Sequence, residues 1–298
     1  MTDRPHLCLR FDGSHARQKP AAGLRRHSDG RMWVDLEYEE ELKRLGLTGF
    51  DAVMHSSQGQ LLRTLPDREN WRLELAADGR QHILFLKKHR TRSLIERFSW
   101  LLGRTTTTPG RIEAENVVAL QRAGIESMRV VAFGEHVRRG ATESFFMTEG
   151  LRGFVQLDHF LRQRFVPAAE RTRADGELTS LVASVADVAR RFHTAGFNHR
   201  DFYCCHFFIH ESPGSRFAVR LIDLQRVEKR RWWRERWIVK DLAQLAYSAP
   251  RERITNTLRM RFIKQYLGVD RLGPAGKRLV RRILRRQHAM QRKLGAHP

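Results

Sequence analysis

The stretch ELTSLVASVADVARRFHTAGF, residues 177–197, constrains the chain most. Leu178, Leu181, Val182, Val185, Val188, Ala189 and Phe192 recur at three- and four-residue intervals, and Gly196 stands where the pattern stops. A stripe this wide predicts a helix buried at the centre of a helical body, ended by a residue that tolerates a left-handed cap. The chain ahead of it follows a different rule. Residues 50–88, FDAVMHSSQGQLLRTLPDRENWRLELAADGRQHILFLKK, are cut by turn signals at SSQG, LPDREN and ADGR into short strands, the pattern of an antiparallel hairpin array. Its last strand, Ile83–Lys87, is apolar until it ends in lysine. A basic loop, RTRSLIERFSWLLGRTTTTPG, then leads to a helix from about Arg111 to Arg122; MRVVAFG and SFFMTEGL read as strands and LDHFLRQRF as a helix. After Gly196 come a loop, a strand, a Pro-Gly turn and a second strand finishing at Ile222–Asp223, with helices beyond.

This order predicts an α+β fold in two lobes: a small antiparallel sheet with one helix, then a mostly helical lobe. The expected boundaries are an N-terminal extension over residues 1–48, a sheet lobe and hinge over 49–150, and a helical lobe with a basic C-terminal helix over 151–298. The 298 residues suffice for two domains of about 150. With 41% hydrophobic and 30% charged residues the chain is neither a disordered tail nor a fibre, and no window approaches the roughly 18 apolar residues of a membrane span. The start, MTDRPHLCLRFDGSHAR, builds no apolar stretch, and the three cysteines Cys8, Cys204 and Cys205 form no disulfide framework, so a cytoplasmic chain is expected. Charge narrows the partners. The formal net charge is +22, and from Lys229 to Pro298 20 Lys and Arg face four acids, so +16 of it lies in the last 70 residues. An anionic partner is expected there: a membrane surface, an acidic protein or a nucleic acid.

Four features fall in a fixed order: Lys87 at a strand end, Glu113 on the next helix, the run His199-Arg200-Asp201, and Asp223 at the end of an apolar strand. In protein-kinase-like phosphotransferases a strand lysine placed by a helix glutamate contacts the nucleotide phosphates. There H-R-D supplies a base and a later aspartate holds Mg²⁺. Each match alone has a bland reading as a solvated cap, a helix face or a turn residue. The collinear set is the signal. Within it, alternation from Phe85 favours Lys87 over Lys88 for the phosphates, since it points Lys87 into the cleft.

The stretch AGFNHRDFYCCHFFIH carries the pattern N-H-R-D-x-Y-x-C-H-F, and FLKKHR, RIEAENVVALQRAGI, VVAFGE, FFMTEGL, LIDLQR and RRWWRERWIVKDLAQL accompany it in order from about residue 50 to 265. By these motifs the chain resembles the WaaP/InaA-type lipopolysaccharide core kinases, of the protein-kinase-like superfamily. The resemblance implies transfer of the γ-phosphoryl group of ATP to an inner-core heptose hydroxyl of lipopolysaccharide, at the cytoplasmic face of the inner membrane.

Carried over residue by residue, the resemblance makes Asp201 the catalytic aspartate and Asp223 a metal ligand, with ATP and Mg²⁺ as cofactors. Glu113, favoured over Glu115 by alignment on RAGI, positions the phosphate lysine, and the backbone of Met147–Leu151, with Glu149 and Leu151, holds adenine. His206, five residues after Asp201, stands open between a metal ligand and a packed histidine, because Mg²⁺ prefers oxygen. The turn around Gly59 is only a positional candidate for cradling phosphates, for no G-x-G-x-x-G is present. Asp223-Leu224-Gln225 in place of D-F-G, and the lack of A-P-E, argue against a regulated protein kinase. His193, His199, His206 and His210 lack zinc-site spacing; Trp232, Trp233 and Trp237 amid arginines resemble a stacking surface for nucleic acid, but in this position are expected to pack the helical lobe around Asp241. From Lys277 to Lys293 the spacing predicts a basic amphipathic helix, read either as a stripe docked on the lobe or as a contact with anionic membrane. The rival readings are a kinase for Kdo, another envelope glycan or a protein tyrosine, and a non-catalytic pseudokinase or nucleic-acid-binding scaffold. The intact Lys87, Asp201 and Asp223 speak against the last, as does the lack of a nucleic-acid motif.

Overall fold

Alternation along the 68–92 hairpin puts Leu73, Leu84 and Leu86 on one face, and burial of that face against further strands organises the first half of the chain. The computed structural model describes residues 23–77, 80–92, 107–138, 141–170, 176–212, 216–230 and 232–294. The first 22 residues, most of the basic loop before Pro109 and the centre of the ADGR turn lie outside them. The chain divides into two compact units, one reaching Arg122 and resuming over Met128–Gly150, the other made of Ala123–Ser127 and everything from Leu151.

The first unit is a seven-stranded antiparallel sheet. Its strands are β1 (Leu24–Arg26), β2 (Met32–Asp35), β3 (Gln60–Leu65), β4 (Arg68–Ala77), β5 (Arg80–Arg92), β6 (Val130–Arg138) and β7 (Ala141–Glu149), in the order β1-β2-β6-β7-β5-β4-β3. Residues 24–48, expected in the extension, therefore supply two strands of this sheet, and Met32, Val34, Tyr38 and Leu42 enter its core. Besides the expected helix α3 (Pro109–Arg122), two short ones are present, α1 (Glu39–Arg44) and α2 (Phe50–His55). The run FDAVMH, read as strand from its composition, is helical because Phe50, Val53 and Met54 share one buried face at three- and four-residue spacing. The Phe50 amide donates to Asp29 Oδ2 at 2.7 Å, which serves that helix start from outside its own segment. Helix α3 rests directly on β7. A Cβ on Gly110 would lie 2.5 Å from the Phe145 carbonyl oxygen, so only glycine permits the approach that buries Glu113.

The second unit holds β8 (Val155–Gln156), α4 (Leu157–Arg164), α5 (Gly176–Thr194), β9 (Phe197–Asn198), β10 (Phe207–Ser212), β11 (Arg216–Leu221), β12 (Glu228–Lys229), α6 (Arg234–Ser248), α7 (Asn256–Leu267) and α8 (Pro274–Leu294). Strands β11, β10 and β8 form one small sheet and β12 pairs with β9. As the spacing predicts, α5 is the central helix, with every residue of its stripe buried. Its Phe192 stacks on Phe197 and Phe202 with ring centroids 5.5 and 5.6 Å apart, fixing both ends of the loop between them. Truncating a phenylalanine at such a site costs about 3–5 kcal/mol.

The C-terminal α8 docks part of its apolar stripe on the rest of the unit. Ile283 is buried, and Val280, Ile283 and Leu284 line an apolar cavity of about 690 Å³ together with side chains of α4, α5, α6 and α7. The stripe is thus docked through Ile283, while Leu284, 44% exposed, reaches the surface beside Arg281, Arg285 and Arg286.

Candidate active site

In the first unit, the pleat of β5 separates two adjacent lysines. Lys88 lies on the core face, 2% exposed, where its Nζ donates to the Ser56 carbonyl and sits 5.1 Å from the Trp71 ring centre; burial pushes its pKa down. Lys87 lies on the opposite face and its Nζ donates to Glu113 Oε1 at 2.7 Å. Glu113 is wholly buried, whereas Glu115 faces Arg111 at 3.6 Å. The fold thus pairs Lys87 with Glu113 and leaves Lys88 and Glu115 to other contacts. Removing either member of such a pair strands a buried charge, at a cost of about 3–5 kcal/mol.

In the second unit, the loop His199–Cys204 is held by one face of α6. Asp241, wholly buried, accepts the His199 amide at 2.8 Å and the Arg200 amide at 3.0 Å. One turn on, Gln244 receives the Phe202 amide at 3.2 Å and donates to the Arg200 carbonyl at 2.9 Å; Ser248 Oγ receives the Cys204 amide at 2.8 Å. Lys240 Nζ also donates to the Arg200 carbonyl, at 2.5 Å. These contacts hold Arg200 in a left-handed conformation, φ 71°, that a non-glycine residue adopts only when its surroundings impose it. Asp201 follows that bend, its carboxylate 2.9 Å from Arg226 Nη1.

Asp223 ends the β11 run in a left-handed conformation of its own, φ 56°. His206 joins it to the loop. Its Nδ1 lies 2.6 Å from the Asp201 carbonyl oxygen, which can only accept, so Nδ1 carries the proton, and Nε2 lies 3.7 Å from Asp223 Oδ2. Burial pulls the His206 pKa down, yet Cys205, the Asp201 carbonyl and Asp223 outweigh it and raise it to about 9. His199 behaves oppositely: burial, then repulsion by His206, lowers it to about 4, so it is a neutral imidazole whose Nε2 donates to the Ile222 carbonyl at 3.0 Å. Among the described residues no group of three or more His, Cys, Asp or Glu side chains converges as a metal site. Asp223 offers the hard oxygen that Mg²⁺ takes, and an ion bound there would complete its shell with phosphate oxygens and water.

The hinge candidates sit at the end of β7 and just past it. The Glu149 amide donates to the Arg129 carbonyl at 3.1 Å with its carboxylate 3.3 Å from His82 Nδ1, and the Leu151 carbonyl accepts the Phe154 amide at 3.1 Å. Gly59 has a structural explanation: its φ is 91°, and a Cβ there would lie 2.4 Å from the Arg72 carbonyl oxygen. The expectation that Trp232 and Trp233 pack the lobe is wrong, for they are 80% and 74% exposed. Trp237 does pack, ringed by Arg230, Arg200, Lys240 and Arg236 at 4.2 to 6.0 Å from its centre. Gln244 and Ser248 were missed, although polar residues at helical spacing with Asp241 in DLAQLAYS were a readable sign of a face that binds backbone.

Comparison with known proteins sets this geometry in context. Residues 53–266 match the Lipopolysaccharide kinase (Kdo/WaaP) family. The lipopolysaccharide core heptose(I) kinase WaaP of Pseudomonas aeruginosa is 36% identical over 239 residues, 78% of this chain and 85% of that protein. Its namesake from Escherichia coli K12 is 33% identical over 224 residues, 73% of this chain and 81% of that protein. A solved structure of WaaP in complex with acyl carrier protein superposes with a TM-score of 0.63 at 31% identity, covering 88% of this chain and 97% of that one.

The buried His199 makes a pH prediction. Its folded pKa, about 4, lies below the ordinary 6.5, so its contribution is complete above pH 6.5 and is lost as pH falls toward 4. Denaturant unfolding followed from pH 7 to 4 should show the wild type losing about 3 kcal/mol more than His199→Phe, which cannot titrate. Parallel curves for the two proteins would contradict the neutral, buried assignment.

Proposed function

The chain belongs to the lipopolysaccharide kinase (Kdo/WaaP) family, and we propose that it transfers the γ-phosphoryl group of ATP to a heptose hydroxyl of the lipopolysaccharide inner core. The observation that carries this reading is the α6-held loop that fixes Asp201. Phosphoryl transfer demands positioning more than covalent chemistry, and a loop whose backbone is bonded residue by residue supplies it. Asp201 orients the sugar hydroxyl in line with the phosphoryl group and takes its proton. Lys87, held by Glu113, meets the nucleotide phosphates, and the backbone of Glu149–Leu151 holds adenine. Asp223 is the proposed Mg²⁺ ligand, and a bound Mg²⁺ would neutralise the charge of the phosphate oxygens. His206, with Nδ1 committed to the Asp201 carbonyl, serves better as the residue that spaces Asp223 from the loop than as a ligand.

Among the described residues no helix is long and apolar enough to cross a membrane. We place the protein at the cytoplasmic face of the inner membrane by charge. The α8 stripe is docked through Ile283, so contact with anionic lipid rests chiefly on the exposed arginines of the helix, each contributing about 1 kcal/mol near the surface. An acidic protein suits the same face, and acyl carrier protein, the partner in the solved relative, is the one we propose.

Two experiments test these readings. With Mg²⁺, labelled ATP and lipopolysaccharide core, Asp201→Asn should lower kcat on the order of a thousandfold while ATP binding persists, and Asp223→Ala should demand far more Mg²⁺. Activity retained in Asp201→Asn, or an unchanged Mg²⁺ titration in Asp223→Ala, would remove those assignments. Replacing Arg281, Arg285 and Arg286 by Gln should cut co-sedimentation with anionic vesicles by at least about tenfold and leave phosphorylation of a deacylated core unchanged. Wild-type vesicle binding that ignores salt would count against the charged face.

A further inference from the structure

The segment Arg226–Trp237 is fastened to the catalytic loop on both sides. On one side Arg226 bonds the Asp201 carboxylate, Glu228 pairs with Arg200 at 2.8 Å, and β12 aligns Glu228 with Asn198 and Lys229 with Phe197. On the other, Trp237 lies beneath the Arg200 guanidinium at 5.6 Å and the Lys240 ammonium at 5.8 Å. Between these fastenings the chain presents two adjacent indoles to solvent, Trp232 and Trp233, 80% and 74% exposed. Scattered exposed leucines need no explanation, but two neighbouring tryptophans held outward beside a catalytic base do.

Charge and reach identify the occupant. The acids of this segment are already neutralised, Glu228 by Arg200 and Arg230 and Glu235 by Arg282. Lys229 and Arg236 lie exposed on either side of the indoles, so the surface is aromatic and cationic. Six residues of chain span at most about 20 Å, so Trp232 stands within a few sugar lengths of the Arg226 that touches Asp201. A pyranose ring has an apolar C–H face that packs on indole, and a guanidinium or ammonium group binds an anionic substituent beside it. A lipid surface would also take exposed tryptophans, yet it does not need them on a segment bonded at both ends to the loop that carries Asp201. The fastening to His199–Asp201 is what an acceptor held in register requires.

We propose that Trp232 and Trp233 form a stacking platform, flanked by Lys229 and Arg236, for an anionic sugar next to the hydroxyl that Asp201 addresses. The platform fixes acceptor specificity, and it rests on the sugar-kinase reading above. The test uses the full chain with a deacylated, soluble lipopolysaccharide core oligosaccharide, comparing wild type, the double variant Trp232→Ala with Trp233→Ala, and the double phenylalanine variant. The alanine pair should raise the acceptor KM by about tenfold or more, with kcat and the KM for ATP within about twofold, and the phenylalanine pair should recover most of the loss. An acceptor KM unchanged in the alanine pair would overturn the platform while leaving the kinase reading intact. So would a defect confined to vesicle-embedded lipopolysaccharide and matched by lost vesicle binding, which would make the indoles a lipid anchor. If the wild type transfers no phosphate to the oligosaccharide, the sugar-kinase reading fails, and calorimetric titration of that oligosaccharide decides the platform separately. Wild-type binding that the alanine pair loses would sustain it; no binding to either protein would overturn it.

Discussion

A single buried carboxylate organises the chemistry of the second unit. Asp241 lies inside the helical body, where an ionised group is costly unless hydrogen bonds replace its water. Two consecutive amides, from His199 and Arg200, do so, and His193 Nε2 stands 3.4 Å away on the same oxygen that takes the His199 amide. The dependence runs both ways, because those amides would otherwise be buried without acceptors. Arg200 is thereby held in its left-handed bend, and Asp201, next in the chain, takes its direction from it. Gln244, Ser248 and Lys240 extend the same grip along the loop, so the direction of Asp201 is set largely by a helix face rather than by the loop's own preferences.

The two units divide the work differently. In the first, a long-range pairing of β5 with β7 and the glycine-allowed approach of α3 bring Lys87 and Glu113 together across 26 residues of sequence. In the second, α6 supplies the acceptors for four loop amides through Asp241, Gln244 and Ser248, while Ile222, His206, Arg226 and Glu228 bond the same loop from other segments. Helix α8 packs on α6 through Ile283. Much of the positive charge of the C-terminal region is left on the outside of α8.

Strong periodicity was legible: the α5 stripe, the α3 helix and the strand ending at Ile222 were readable because each repeats over several turns or residues. So was the placement of Lys87 and Lys88 on opposite faces, which needs only the pleat. The short elements were not. Strands β8, β9 and β12 have two residues each, too few for any pattern, and exist because neighbouring strands supply their bonds. Residues 24–48 read as an appendage since their strands are short and sit toward the sheet edge, their burial decided by β6. FDAVMH has strand-like composition, and its helix depends on Asp29, 21 residues away. Trp232 and Trp233 are expected in the lobe from their place in the chain ahead of Asp241, but only Trp237 packs there, because the two earlier indoles precede α6 and face solvent.

The measurement closest to the central claim is the kinetics of Asp241→Asn. The amide keeps one acceptor but turns an N–H toward a donor, so the loop should loosen while the rest of the unit stays folded. The account predicts that kcat for lipopolysaccharide core falls by about a hundredfold or more, with the KM for ATP within about threefold of wild type and helical circular dichroism preserved. A folded Asp241→Asn protein with wild-type kcat would contradict it, for the base would then be positioned by something other than the grip of α6.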